Sequence, residues 1–265
     1  MKILLLTDIH SWTDTNYPNR KWPEYINCFG WAFESSSWDL QNIAESVDIE
    51  VNLGDFIHET SREADIAQYK SWIELLSSLG KPVLHVAGNH DLVYLDREIL
   101  ASLWGTEKLY YFRDIGEYRH IILDGNREGN TGNTFDRNQR YRFDEEQLIW
   151  LESILRKSDT PCIIYSHFPI DDQDLSENYY YPENSEERVF PLGYREVRKI
   201  LEDSRKVIAV FSGHTHFPHR TIIGGIEYIT VGSFAENDGS GKPTRQYVIA
   251  NIDGKNIEIE NALIQ

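Results

Sequence analysis

An α/β fold with a largely parallel sheet is the class this sequence predicts, on three observations. Short apolar runs, read as buried strands, recur along the chain. Segments of helical period separate them. Five of the runs finish in Asp, Asn or His, the kind of side chain that gathers outside the carboxyl ends of strands in such folds.

The first run is Ile3 to Leu6. Four apolar residues are too few for a secretory core of about 7 to 15 or a membrane span of about 20, which leaves a buried strand. Asp8 and His10 stand at its end, and in an extended chain residues two apart point the same way. The run IEVNLGD, residues 49–55, is the second strand. A helix follows, with Ile66, Tyr69, Ile73 and Leu76 on one face. VLHVAGNHD, residues 83–91, is the third strand. Leu148, Leu151 and Leu155 mark a second helix, which Asp144 and Gln147 open as a capping box. CIIYSHFP, residues 162–169, precedes a third helical face of Tyr194, Val197 and Leu201. VIAVFSGHTHFP, residues 207–218, is the last of the five. Strands alternating with helices place all five ligand clusters on one sheet edge. The remaining chain reads as antiparallel strands: TIIGGIEYITVGS, turned by Gly224-Gly225, then RQYVIANIDG and NIEIENALI.

The 265 residues hold 43 acidic and 26 basic side chains, a formal charge of -17. That field argues against nucleic acid polymers as partners. No stretch is long enough to span a bilayer. Cys28 and Cys162 are far apart in sequence and imply no disulfide framework, so a reducing cytoplasm is the expected compartment.

Asp8, His10, Asp55, Asn89, His167, His214 and His216 together offer hard oxygen and imidazole nitrogen and no thiolate, a donor set suited to Mn, Fe or Zn. Seven ligands are too many for one such ion and match two that share a carboxylate. Gly54, Gly88 and Gly213 are expected to allow tight or positive-φ turns beside the site.

The clusters D-x-H, G-D, G-N-H-D, H and G-H-T-H, in this order from residue 8 to residue 216, resemble the calcineurin-like metallophosphoesterase superfamily. The resemblance implies a four-layer α/β/β/α sandwich of two mixed β-sheets flanked by helices, in one domain spanning residues 1–265. It implies that Asp8, His10 and His216 bind one metal, that Asn89, His167 and His214 bind the other, and that Asp55 bridges them. His90 becomes the catalytic residue, contacting the phosphoryl oxygens or protonating the leaving group, and Asp91 orients it. Two cations of this kind acidify a bridging water, and the resulting hydroxide attacks phosphorus.

Within the superfamily, the Leu148–Glu152 helix followed by a strand and His167-Phe168-Pro169 looks like the class III cyclic nucleotide phosphodiesterase and glycerophosphodiesterase branch. A small phosphodiester is the expected substrate. The alternatives are a phosphomonoesterase or phosphoprotein phosphatase, then a repair-type nuclease, to which Gly54-Asp55-Phe56-Ile57-His58 is similar, and last a non-enzymatic scaffold. The segment 11–38 holds four Trp and is read either as a lid over the substrate or as a subsidiary core or oligomer contact. Residues 171–192, with Tyr179, Tyr180 and Tyr181, start beside the metals and either line the pocket or pack on the surface. His85 and His120 read as core or surface histidines, and the role of His219 is left open.

Overall fold

The computed structural model describes residues 1–11, 37–126, 141–178, 180–181, 186–236 and 244–263. Two sheets lie face to face. The first has the order β11-β10-β1-β2-β3, from β1 (Lys2–Leu6), β2 (Ile49–Asn52), β3 (Val83–His85), β10 (Gln246–Asp253) and β11 (Asn256–Leu263). The second has the order β4-β5-β6-β7-β9-β8, from β4 (Tyr111–Ile115), β5 (Tyr118–Leu123), β6 (Cys162–Ser166), β7 (Val207–Ser212), β8 (His219–Ile223) and β9 (Ile226–Thr230). Apolar side chains on the facing surfaces form one core: Ile3, Leu5, Ile49 and Val51 from the first sheet meet Ile163, Tyr165, Ala209 and Phe211 from the second.

Helices cover the outer faces. After α1 (Ser37–Glu45), α2 (Arg62–Ser78) and α3 (Arg97–Trp104) bury Tyr69, Trp72, Leu76 and Leu100 against Leu4 and Leu6 of β1. On the other side α4 (Glu145–Lys157), the short α5 (Glu186–Val189) and α6 (Tyr194–Ser204) cover the second sheet. There Leu151, Leu155, Val197 and Leu201 pack on Ile121, Ile164 and Val210. The result is the expected four-layer α/β/β/α sandwich.

One expectation is corrected. The five ligand strands do not share one sheet: β1, β2 and β3 run parallel in the first, and β6 and β7 run parallel in the second. The carboxy-terminal strands join these same two sheets. β10 pairs antiparallel with β1, while β9 pairs parallel with β7 and antiparallel with β8. Each hairpin thus extends a sheet that the ligand strands began. Gly224 and Gly225 (φ 61° and 81°) turn the second of these hairpins, as a two-residue loop with positive φ at both positions requires.

The capping box is half present. Asp144 Oδ1 accepts the Gln147 N–H at 2.7 Å, but the Gln147 side chain turns to β5, where it accepts from Asp124 N (2.8 Å) and donates to Asp124 O (2.7 Å). It joins α4 to the end of that strand.

Glu50 is the misfit of the first sheet. It lies in register with Leu4 and Val83 on the helix-covered face, and neither carboxylate oxygen has a hydrogen bond among the described residues. Burial pushes its carboxyl up to about 7, against the pull of Lys81. The unfolded chain releases this proton near the ordinary value of 4.5, so between these two values the folded state binds more protons and stability falls as pH rises. The loss reaches about 3 kcal/mol above pH 7. Glu50→Gln is expected to raise the denaturation midpoint at pH 8 and leave it little changed at pH 4.5. Equal midpoint shifts at both pH values in chemical unfolding would rule this account out.

Candidate metal centre

β1 ends at Leu6, and neither Asp8 nor His10 continues the extended chain: both are left-handed, with φ of 50° and 47°. Asp55, His214 and His216 share that conformation, at 51°, 69° and 66°. Side chains here converge because the backbone kinks, not because residues two apart in a strand share a face. A left-handed residue with a Cβ costs roughly 1–2 kcal/mol, so the site is strained at five positions and must be held. Hydrogen bonds do so. Asp8 N–H donates to Gly54 O and His10 N–H to Asp55 O, both at 3.0 Å. His214 N–H donates to Asp8 Oδ2 at 3.0 Å, and Ser233 N–H to His216 O at 3.0 Å.

All three glycines supply room: a Cβ would stand 2.6 Å from His167 Nδ1 on Gly54, 2.1 Å from Asp55 Oδ1 on Gly88 and 2.0 Å from Thr7 Oγ1 on Gly213. Gly54 supplies a positive φ of 102° as well.

Two groups of donors result, Asp8 with His10 and His216, and Asp55 with His167 and His214, each with ligand atoms within 4.8 Å of one another. Asp55 Oδ2 lies 3.3 Å from His167 Nε2 and 3.9 Å from His10 Nε2, so one carboxylate oxygen faces both groups. Asn89 Oδ1 is buried and accepts no hydrogen bond among the described residues. The next residue, His90, donates its backbone N–H to Asp55 Oδ1 at 2.8 Å.

Hydrogen bonds behind the site fix which nitrogen each imidazole presents. His167 Nδ1–H donates to Leu53 O and His214 Nε2–H to Arg188 O, both at 2.9 Å. The lone pairs of His167 Nε2 and His214 Nδ1 are left facing each other at 3.2 Å. His216 Nδ1 is 3.0 Å from Glu236 Oε2, which leaves its Nε2 lone pair 3.3 Å from Asp8 Oδ1. Lone pairs opposed in this way repel unless positive charge lies between them. Outer partners that set the tautomer in this manner are characteristic of metal-binding histidines. With oxygen and imidazole donors and no thiolate, the residues fit two ions of the Mn, Fe or Zn class.

The electrostatics call for the same charge. Burial disfavours the ionised carboxyls, yet His216 holds Asp8, and His167 with His90 holds Asp55, well below the usual carboxylate range. Burial also opposes charge on His167 and His216, but Asp55 beside the first and Asp8 beside the second push both up to about 9. Burial drives His10 well below the ordinary histidine value and His214 down to about 3.

His90 stands at the rim, its Nδ1 2.5 Å from Glu59 Oε2. Burial opposes its charge, but Glu59 and Asp55 outweigh that and raise its pKa to about 10. Asp91, expected to orient His90, points inward instead. It accepts the N–H groups of Asp55 (2.9 Å), Phe56 (2.9 Å) and Gly88 (2.8 Å), so it ties two ligand loops together from below. The orienting carboxylate is Glu59, which sequence reasoning missed although it directly follows the singled-out stretch ending in His58. His58 stacks on His90, ring centroids 5.2 Å apart, and forms with His10 and His90 a third group of nearby donor nitrogens. Glu236 was also missed, and no motif spacing marks it.

Of the tyrosines in 171–192, Tyr179 lies outside the described residues, while Tyr180 and Tyr181 line the site. Tyr180 packs edge-on to His216 (4.8 Å), and Tyr181 Oη is 3.2 Å from His214 Nε2. The Trp side chains of 11–38 lie outside the described residues. His85 stacks on Trp104, and His120 Nδ1 meets Tyr165 Oη at 2.9 Å; both are core histidines, and burial pushes both down to about 4. His219 pairs with Asp171, Nε2 to Oδ2 3.4 Å.

The sequence model of the family described as calcineurin-like phosphoesterase matches residues 1–218. Among characterised proteins, the manganese-dependent ADP-ribose/CDP-alcohol diphosphatase of Homo sapiens is 24% identical over 221 residues, 63% of this chain. The Mus musculus protein of the same name is 25% identical over 223 residues. The chain spans 62% of the length of each of these relatives. Among solved structures, a dimetal phosphatase from Danio rerio superposes with a TM-score of 0.69 at 19% identity, covering 100% of this chain and 99% of that one. Phosphopantetheinyl hydrolase from Mycobacterium tuberculosis superposes at 0.52 and 15% identity, covering 88% and 89%. These structures share the fold. Among the described residues, no helix is long and apolar enough to cross a membrane.

Proposed function

The chain belongs to the calcineurin-like phosphoesterase family, and from that premise we propose that it hydrolyses small phosphodiesters and diphosphate diesters with two bound transition-metal ions. The observation that carries this reading is the single Asp55 oxygen facing two donor groups. Asp8, His10 and His216 hold one ion, Asn89, His167 and His214 the other, and Asp55 is shared. When bound, the ions neutralise phosphoryl charge and acidify a water. His90, kept cationic by Glu59 and Asp55, donates a proton to the departing oxygen. Residues 1–265 act as one catalytic domain, with β10 and β11 completing the first sheet beyond the matched span. Cys162 is a free buried thiol, in keeping with a reducing cytoplasm.

A small phosphodiester brings one negative charge to a protein of formal charge -17, a monoester or a diphosphate diester up to two, and a DNA strand one for each phosphate, so charge disfavours the polymer most and the diphosphate candidates rest on the relatives instead. The names of the curated relatives make ADP-ribose and a CDP-alcohol the first candidates. With Mn²⁺ at fixed salt, catalytic efficiency is expected to be higher on these and on bis-nitrophenyl phosphate than on nitrophenyl phosphate, a phosphoprotein or linear DNA. Preference for the monoester, or rapid degradation of DNA, overturns the diesterase reading.

A further inference from the structure

Resting on that dimetal reading, we infer that Glu236 and Tyr180 are positioning residues that control how tightly one of the two metal sites holds its ion. Glu236 Oε2 lies 3.0 Å from His216 Nδ1. The same carboxylate accepts a hydrogen bond from Tyr180 Oη, at 3.2 Å to Oε1 and 3.0 Å to Oε2. The Tyr180 ring stands edge-on to the His216 ring at 4.8 Å. The three side chains therefore close on one another: tyrosine fixes the carboxylate, the carboxylate fixes the imidazole tautomer, and the tyrosine ring limits imidazole rotation.

The backbone that carries Glu236 is anchored to the metal loops themselves. Ser233 N–H donates to His216 O (3.0 Å), Ser233 Oγ to Asp8 O (2.9 Å), and Ala235 N–H to Asp8 O (3.3 Å). The segment after β9 thus crosses both Asp8 and His216 before it presents its carboxylate. A carboxylate behind a metal-binding imidazole orients the ring and strengthens the nitrogen as a donor, and its loss typically lowers metal affinity 10- to 100-fold. The second group is served differently, since His214 is held by the carbonyl of Arg188 (2.9 Å), a neutral acceptor, with Tyr181 Oη beside it. Among the described residues, the Asp8, His10 and His216 site has an anionic outer partner on its C-terminal histidine and the other site has a neutral one. Glu236 therefore makes the two sites unequal in affinity, and Tyr180 makes that inequality depend on the 171–192 segment.

The test is Mn²⁺ titration of the full chain by calorimetry, with histidine ¹⁵N NMR of the metal-free protein at alkaline pH to read the His216 tautomer. Wild type is expected to bind two Mn²⁺. Glu236→Ala is expected to weaken one site about 10- to 100-fold, leave the other unchanged, and let the His216 tautomer interconvert. Glu236→Gln, which keeps a hydrogen-bond acceptor and loses the charge, should fall between, and Tyr180→Phe should weaken the same site by a few fold. Should Glu236→Ala fail to fold, Glu236→Gln and Tyr180→Phe carry the test alone. A wild-type isotherm in the folded variants, or equal weakening of both sites, overturns the inference. Wild type that binds no transition metal would instead sink the dimetal reading beneath it.

Discussion

Asp55→Asn is expected to reduce Mn²⁺ binding at both donor groups and bring phosphodiester hydrolysis close to background. Asp55 Oδ2 faces His167 Nε2 at 3.3 Å and His10 Nε2 at 3.9 Å, so the charge removed is shared by two sites. Loss of a partner one step removed from a metal costs about 10- to 100-fold in affinity, and the loss of a shared ligand should exceed that range at each site. The fold should survive, because the asparagine occupies the same volume and its Oδ1 can still accept the His90 N–H that Asp55 Oδ1 accepts at 2.8 Å. Asp8→Asn supplies the contrast. Asp8 Oδ1 stands 3.3 Å from His216 Nε2, within one donor group, so that variant should empty one site and leave the other near its normal affinity. Metal analysis after gel filtration at limiting Mn²⁺ separates the two. Full occupancy and normal turnover in Asp55→Asn would remove the shared-ligand assignment.

The five motifs were legible because each puts chemically distinctive residues at the end of an apolar run, and both features are local. The sheets were less so, because pairing is non-local. Nothing near Ile3 to Leu6 states that Ala250 and Ile249 lie beside Ile3 and Leu4, nor that Tyr228 of β9 lies beside Val210 of β7. For Asp8 and His10 the local geometry is not legible in the sequence, since the run predicts an extended continuation where φ near 50° is found. Asp91 shows the limit of adjacency. It follows His90 in the chain, but its side chain turns to the N–H groups of Asp55, Phe56 and Ile57 in the neighbouring loop and of Gly88 in its own, while a carboxylate 31 positions earlier reaches His90. Buried backbone donors compete strongly for a carboxylate, and sequence proximity does not reveal where they lie.

His90→Asn is the complementary case: metal binding should persist while turnover drops roughly 10²- to 10⁴-fold, the range for loss of a positioned proton donor. The His90 side chain sits at the rim, and the backbone N–H that this residue donates to Asp55 Oδ1 is retained by asparagine. If His90 protonates the departing oxygen, the loss must depend on that oxygen. A nitrophenolate leaves without help, so bis-nitrophenyl phosphate should suffer least, and a substrate that expels an alkoxide should suffer most. Glu59→Gln tests the same proton from behind. Glu59 Oε2 is 2.5 Å from His90 Nδ1 and, ahead of Asp55 and Asp91, is the first of three carboxylates that raise the imidazole to about 10. Removing its charge lowers the His90 pKa, so the imidazolium is lost at lower pH. The alkaline limb of the rate profile should then move to lower pH, and at neutral pH the loss should be smaller than in His90→Asn. Equal losses on nitrophenolate and alkoxide substrates in His90→Asn would assign His90 to electrostatic stabilisation of the phosphoryl group, because that role needs the charge but not the transferable proton; the alkaline limb moves in Glu59→Gln under either role, and an unmoved limb would remove the imidazolium from the reaction altogether.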